Sequence, residues 1–303
     1  MPSTSPPSPS SPQSPSSSQS GPSSQSPSSP SPWDADDRGL PFDTSVPHPA
    51  RIYDFLLGGK NNFPADRAAA EEALKTPIPI RDIARANRAF LGRAVRFLAE
   101  SGIRQFLDIG TGIPGPGNTG EVARAVHPDV RVVYVDHDPI VAVHSRALLE
   151  GSDPARSAVL EADVRDPAAI LAGEQVKALI DVAEPVAVLM VSLLHFVPDE
   201  ADPHGIVATF RDAFAPGSAL ALSHGGDFDV DNLGEGVAQV YQRSTSPLSQ
   251  RGRADVERFF DGFDLVEPGL VQLPWWRPDG PDGAVPDGSE KIWMYAGVGI
   301  KPA

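Results

Sequence analysis

The chain has 303 residues, no cysteine and a formal net charge of −15. The missing cysteines exclude disulfides and cysteine-based metal sites, and the acidic balance argues against nucleic acid or an anionic membrane surface as partner. It holds no apolar run of the roughly 18 residues a membrane span needs and no basic-then-apolar leader, so no span or signal peptide is expected and the expected location is cytoplasmic.

Of the first 32 residues, 26 are Pro or Ser. Such a segment has no apolar surface to bury and cannot offset the entropy of ordering, so residues 1–46 are expected to be a disordered tail. The tail holds four Asp and one Arg, so most of the net negative charge sits on residues 47–303, a length that suits one α/β domain. Within it, 47–102 reads as a helical segment and 103–303 as the sheet-bearing core.

Arg51-Ile-Tyr-Asp-Phe-Leu-Leu-Gly-Gly59 predicts a short helix stopped by its glycine pair. Ala65 to Lys75 is rich in Ala and Glu and predicts a second helix. Ile80, Ile83, Ala84, Asn87, Phe90, Leu91, Ala94, Val95 and Leu98 recur at three- and four-residue steps and predict a third, ending at Gly102. Asn87 lies inside that apolar stripe and needs a hydrogen-bond partner if buried.

Beyond residue 103, strands and helices alternate. Strands are predicted at 104–109, 131–135, 157–162, 186–192, 218–223, 263–271 and 291–299. Helices are predicted at 118–126, 139–150, 167–181, 204–214 and 253–260. Near-continuous apolar strands with helices between them imply a parallel sheet covered on both faces. The last two strands are joined by a loop rich in Pro and Gly with no helical pattern, so they are expected to pair antiparallel.

The first strand runs into Gly110-Thr-Gly112-Ile-Pro-Gly115, a G-x-G-x-x-G match in the strand–turn–helix context that a nucleoside cofactor needs. Asp136 ends the next strand, where a carboxylate can bind ribose hydroxyls. Two cofactor classes share this plan, nicotinamide dinucleotides and S-adenosylmethionine (SAM). Asp108, just before the glycines, would repel a pyrophosphate but suits the ammonium of SAM. Asp163, after the third strand, can accept from an adenine amino group, and Val164 offers a backbone amide beside it. Pro114 departs from the usual glycine at its place and leaves the path of the turn open. A nicotinamide-dependent oxidoreductase stays the alternative, as does a SAM-binding module without catalysis.

In open parallel sheets ligands sit beyond the carboxyl ends of the strands. His195 and Asp199 follow the fourth strand there, and Ser223, His224 and Asp227 follow the fifth. His195 and His224 are the candidate general bases, because imidazole titrates near neutral pH. No metal site is expected. Trp275 and Trp276 could wall a pocket or pack beneath their loop.

The sequence also resembles an actinobacterial family of SAM-dependent methyltransferases of largely unassigned substrate. The likeness is carried by Arg51 to Phe63, Ala84-Arg-Ala-Asn-Arg-Ala-Phe-Leu91, Leu107-Asp-Ile-Gly-Thr-Gly-Ile-Pro114, Val133-Tyr-Val-Asp-His-Asp-Pro139 and Leu193-Leu-His-Phe-Val-Pro-Asp199. It implies a Rossmann-like class I methyltransferase fold, with a mostly parallel seven-stranded sheet, an antiparallel last strand and an N-terminal helical cap over the cofactor, from which Tyr53 could stack on or bond to it. The methyl acceptor is expected to be a small molecule. Oligomeric state is left open.

Overall fold

The computed structural model describes residues 43–150, 153–226 and 233–303, the side chains of 233–235 excepted. Of the expected tail at 1–46, residues 1–42 lie outside the described residues, as does Asp227. Among the described residues three helices come first: α1 (Pro49–Leu56), α2 (Pro64–Ala73) and α3 (Ile80–Glu100). Alternation then begins with β1 (Gln105–Ile109), α4 (Thr119–Val126), β2 (Arg131–Asp136), α5 (Pro139–Leu148) and β3 (Ser157–Glu161). It continues through α6 (Pro167–Ala172), α7 (Glu174–Leu179), β4 (Ala187–Val191), α8 (Pro203–Ala213) and β5 (Ala219–Gly225). The chain closes with α9 (Leu233–Tyr241), α10 (Arg253–Glu257), β6 (Asp264–Leu265), β7 (Val271–Gln272) and β8 (Met294–Ile300).

The strands form one sheet in the order β3-β2-β1-β4-β5-β8-β6, with β7 also paired to β8. The first five strands are mutually parallel, and β8 runs antiparallel to β5. The sheet thus has eight strands rather than the expected seven. The reason lies within 263–271, read as one strand. Pro268 has no N–H for a ladder, and Gly269 takes a left-handed φ of 84° while its N–H bonds back to the Val266 carbonyl (2.7 Å). The segment turns there, and its two ends pair with β8 separately. The predicted helix 167–181 is likewise two helices, because Gly173 stands at ψ 138°, outside the helical basin. Helix α9 had no sequence prediction.

Alternate residues of each strand feed opposite faces, as the period of two requires. Leu107, Val133, Val188 and Leu220 pack with Ile170, Val207 and Phe210 on one side. Phe106, Val132, Leu189 and Ala221 pack with α3 and α4 on the other. Helix α3 belongs to two layers. Its first turns join α1, α2 and α9 in a separate apolar cluster, while Phe90, Leu91, Val95 and Leu98 cover the sheet. The path of the chain therefore carries the cap directly onto the carboxyl ends of the strands.

Trp276 is a core residue: fully buried, it packs edge-on against Phe90 and Phe97. Arg93 anchors its loop by donating to the carbonyls of Trp276 and Leu273, both at 2.8 Å. Trp275 is 37% exposed. Trp276→Ala is expected to cost about 3–5 kcal/mol through the cavity it leaves, measured as a loss of unfolding free energy in equilibrium denaturation.

Candidate functional site

A cavity of about 470 Å³ lies beneath the cap, over the carboxyl ends of β2, β1, β4 and β5. This is the crevice where open α/β sheets place ligands. At its β1/β2 end stand Asp108, Gly110, Thr111, Gly112, Asp136 and His137.

The turn after β1 is fixed by backbone need. Gly110 and Gly112 both adopt left-handed φ values, 68° and 65°, which cost a side-chain-bearing residue. A Cβ on Gly110 would also come within 2.6 Å of Leu193, whereas one on Gly112 would meet nothing within 4 Å. The second glycine thus keeps its face toward the cavity bare. The Gly112 N–H donates to Asp136 Oδ2 (2.9 Å) and the Asp138 N–H to Asp136 Oδ1 (3.0 Å). Two backbone donors therefore set the orientation of this carboxylate.

The turn does not open directly into a helix. Pro114 to Gly117 bow outward, held by Arg88 Nη2 on the carbonyls of Gly115 and Pro116 (3.2 Å each). Helix α4 starts at Thr119, capped by Asn118 Oδ1, which accepts from the Glu121 N–H (3.1 Å). Thr119 Oγ1 donates to Asp108 Oδ2 (2.6 Å), as does Thr111 Oγ1 (3.2 Å).

Asp108 and Asp136 are both buried, and burial is the main force raising each carboxyl above the usual range. The hydroxyl bonds on Asp108 and the amide bonds on Asp136 oppose that rise in part. Arg88 lines the cavity nearby and also favours ionised Asp108. The wall is thus short of positive charge, and a cation bound there would favour the ionised form of both carboxyls.

The polar notch in α3 is satisfied. Asn87 Nδ2 donates to the Tyr53 hydroxyl (3.0 Å), which donates to the Ala84 carbonyl (2.9 Å). Asn87 Oδ1 accepts from Ser223 Oγ (2.6 Å), and that oxygen accepts from the Ser192 N–H (2.9 Å). One chain of bonds ties α1, α3, β4 and β5 together at the cavity wall. The Tyr53 ring lines the cavity while its hydroxyl is spent.

His195 lines the cavity and His224 does not. His195 Nδ1 accepts the Gly225 N–H (3.2 Å), so Nε2 carries the proton and points its donor at Ser192 Oγ, 3.4 Å away. Burial, then His224 and Arg251, hold the imidazole well below its ordinary pKa. His224 is bonded at both nitrogens. Its Nδ1–H donates to the Gly225 carbonyl (2.6 Å), and Nε2 accepts from Arg251 Nη1 (3.1 Å). Burial lowers its pKa to about 4, so it is neutral with no lone pair to spare.

Asp163 and Val164 do not line the cavity. The Asp163 carboxylate is gripped by the Arg165 guanidinium, which holds its pKa down. Val164 packs its side chain into the core. Residues that sequence reasoning passed over include Ser192, whose left-handed φ of 59° sets the wall after β4, and His48, the N-cap of α1. His48 Nε2 lies 3.4 Å from His137 Nε2, and burial lowers its pKa to about 3. Position relative to α1 was the only available signal for His48. Ser192 had none.

The family model described as S-adenosyl methyltransferase matches residues 36–302. The chain belongs to that family. Membership decides between the two cofactor classes that the glycine turn allowed, in favour of SAM. The methyltransferase is similar to the crystal structure of a candidate methyltransferase from Thermobifida fusca YX. They share 44% identity, 86% of this chain and 97% of that one, at a TM-score of 0.80. It is also similar to a DUF574 family protein from Streptomyces avermitilis MA-4680, at 43% identity over 86% of this chain and 99% of that one, TM-score 0.81. No curated protein matches it. Among the described residues no helix is long and apolar enough to cross a membrane.

Proposed function

We propose that the β1/β2 end of the cavity holds SAM and that the methyltransferase acts on a small-molecule acceptor bound in the remainder. The observation that carries this is the pair of buried, pKa-raised carboxylates flanking an open glycine. When bound, SAM supplies a methyl group on a cationic sulfur, already activated for transfer. The chain's own contribution is placement and charge. Asp136, oriented by two amides, accepts the ribose hydroxyls. Asp108 meets the ammonium. Gly110 and Gly112 let the backbone approach, and the Tyr53 ring closes the site from the cap. Asp163 and the Val164 amide would take the adenine, with Arg165 yielding part of its grip on Asp163.

The proton positions give His195 the role of hydrogen-bond donor toward the acceptor rather than base, and give His224 a structural role. Alignment of the acceptor, which can supply a large part of rate enhancement, is then the main work of the remaining wall.

SAM affinity should depend on pH. Burial raises both carboxyl pKa values, and the ammonium at Asp108 and the ribose hydrogen bonds at Asp136 would lower them again. Binding therefore releases protons, and affinity falls as pH drops from neutrality through the raised carboxyl range. Calorimetric titration across pH should show this fall, and Asp108→Asn should flatten it. Affinity that is constant or grows toward acid contradicts the assignment. Formation of S-adenosylhomocysteine with an acceptor separates catalysis from SAM binding alone.

A further inference from the structure

Away from Asp108 and Asp136, the cavity continues over the ends of β4, β5 and β8, and its chemistry changes. The walls there are Leu56, Ile80, Phe196, Val237, Tyr241 and Trp293. These side chains also pack as one cluster with α1, the start of α3 and α9. The Phe196 and Tyr241 rings lie 5.4 Å apart at 46°, so two aromatic faces meet at the wall. The nearby polar groups are few: Ser192, His195, Ser249 and Gln250. Among the described lining residues, the formally charged ones are Arg88, Asp108 and Asp136. All three stand at the other end, on α3, β1 and β2, and Arg88 is bound to the turn carbonyls. His195 is neutral because burial disfavours its cation. An ion entering this half would lose its hydration and find no counter-charge among those side chains.

We propose that this half is the acceptor site, and that its substrate is an uncharged, hydrophobic, ring-bearing molecule whose polar group is met by Ser192 and the His195 Nε2–H. The proposal rests on the assignment of the other half to SAM. Tyr241 and Phe196 set the preference, because ring-on-ring burial rewards aromatic ligands beyond their area. The chain's own acidic balance does not enter, since the carboxylates that line the cavity face the cofactor half.

The test uses the full chain at pH 7, saturated with S-adenosylhomocysteine, and three probes of similar size: 2-naphthol, 2-naphthoate and 2-naphthylmethylammonium. Calorimetry should show 2-naphthol binding at least about tenfold tighter than either ion. Tyr241→Ala should weaken 2-naphthol by about tenfold or more and leave S-adenosylhomocysteine affinity unchanged, while Tyr241→Phe retains it. Phe196→Leu, a milder change, should weaken 2-naphthol in the same sense and serves if Tyr241→Ala lowers the melting temperature. An ion that binds as tightly as 2-naphthol overturns the proposal. So does protein that takes up S-adenosylhomocysteine but not 2-naphthol, or unchanged 2-naphthol affinity in the variants. Failure of S-adenosylhomocysteine itself to bind overturns the cofactor assignment, and the acceptor proposal with it.

Discussion

Asp136→Ala should weaken SAM binding by about 100-fold or more. Hydrogen bonds to a charged acceptor contribute roughly 1.5–3 kcal/mol each, and a ribose diol offers two, so even the lower figure for both gives about two decades in affinity. The substitution also frees the Gly112 and Asp138 amides, which Asp136 now holds at 2.9 and 3.0 Å. Part of the loss will therefore come from a turn that no longer holds its shape. Asp136→Asn keeps the volume and one carbonyl acceptor, so it should lie between the wild type and the alanine variant. Calorimetric titration gives both affinities, and a thermal melt without ligand separates binding from folding. Relief of buried negative charge should leave the ligand-free alanine variant no less stable at neutral pH than the lost amide bonds alone would predict. An Asp136→Ala protein that binds SAM within a few-fold of wild type would remove Asp136 from the site.

Arg251→Ala should be the costliest single truncation outside the core, at about 3–5 kcal/mol of folding stability. The guanidinium is buried and donates to the carbonyls of Leu194 (2.8 Å) and Val197 (2.7 Å), to His224 Nε2 (3.1 Å) and to Asp199 Oδ1 (2.6 Å). Its backbone forms a bridge to Gly226. The Asp199 arm contributes little, since that carboxylate is 83% exposed and surface ion pairs are worth at most about 1 kcal/mol. The carbonyl and imidazole bonds dominate, because the Val197 carbonyl and His224 Nε2 lose their partner when the guanidinium goes, while the Leu194 carbonyl keeps the Val197 N–H (3.1 Å). Lysine cannot make several bonds from one planar fork, so Arg251→Lys should recover only a part. Asp199→Ala should change stability by less than about 1 kcal/mol. Equilibrium denaturation of the three variants orders them, and a mild Arg251→Ala would contradict the reading of this residue as the tie between the β4 and β5 loops.

The parts of this molecule that local pattern dictates were legible in the sequence. Strands β1 to β5 are largely apolar on both faces because helices cover both, so they read as near-continuous hydrophobic runs. The glycines at 110 and 112 mark left-handed backbone, and Asp136 stands at its strand end by simple counting. The helical stripe of α3, with Asn87 inside it, was equally plain, and the need for a partner at Asn87 is met by Tyr53 and Ser223.

What stayed hidden depends on distant chain segments. Arg251 sits in a Ser/Gln/Arg stretch that reads as a solvated loop, and only the carbonyls gathered from 194 and 197 make it a buried hub. The histidines look like bases in sequence, but a backbone amide on His195 and a guanidinium on His224 fix their protons. Gly173 and the Pro268-Gly269 pair each divide an element that apolar pattern alone would continue. Trp276 lies in a Pro-rich loop, yet Phe90 and Phe97 on α3 draw it into the core. Ser192 takes its left-handed backbone at the wall without any local sign.

The most direct test of the whole account is a crystal structure of the full chain with S-adenosylhomocysteine. The account predicts ribose hydroxyls on Asp136, the ammonium beside Asp108, the methionine part along Gly110 to Gly112, adenine toward Asp163 and Val164, and sulfur facing the apolar half. A ligand lodged among Phe196, Tyr241 and Trp293, with Asp136 uncontacted, would contradict it.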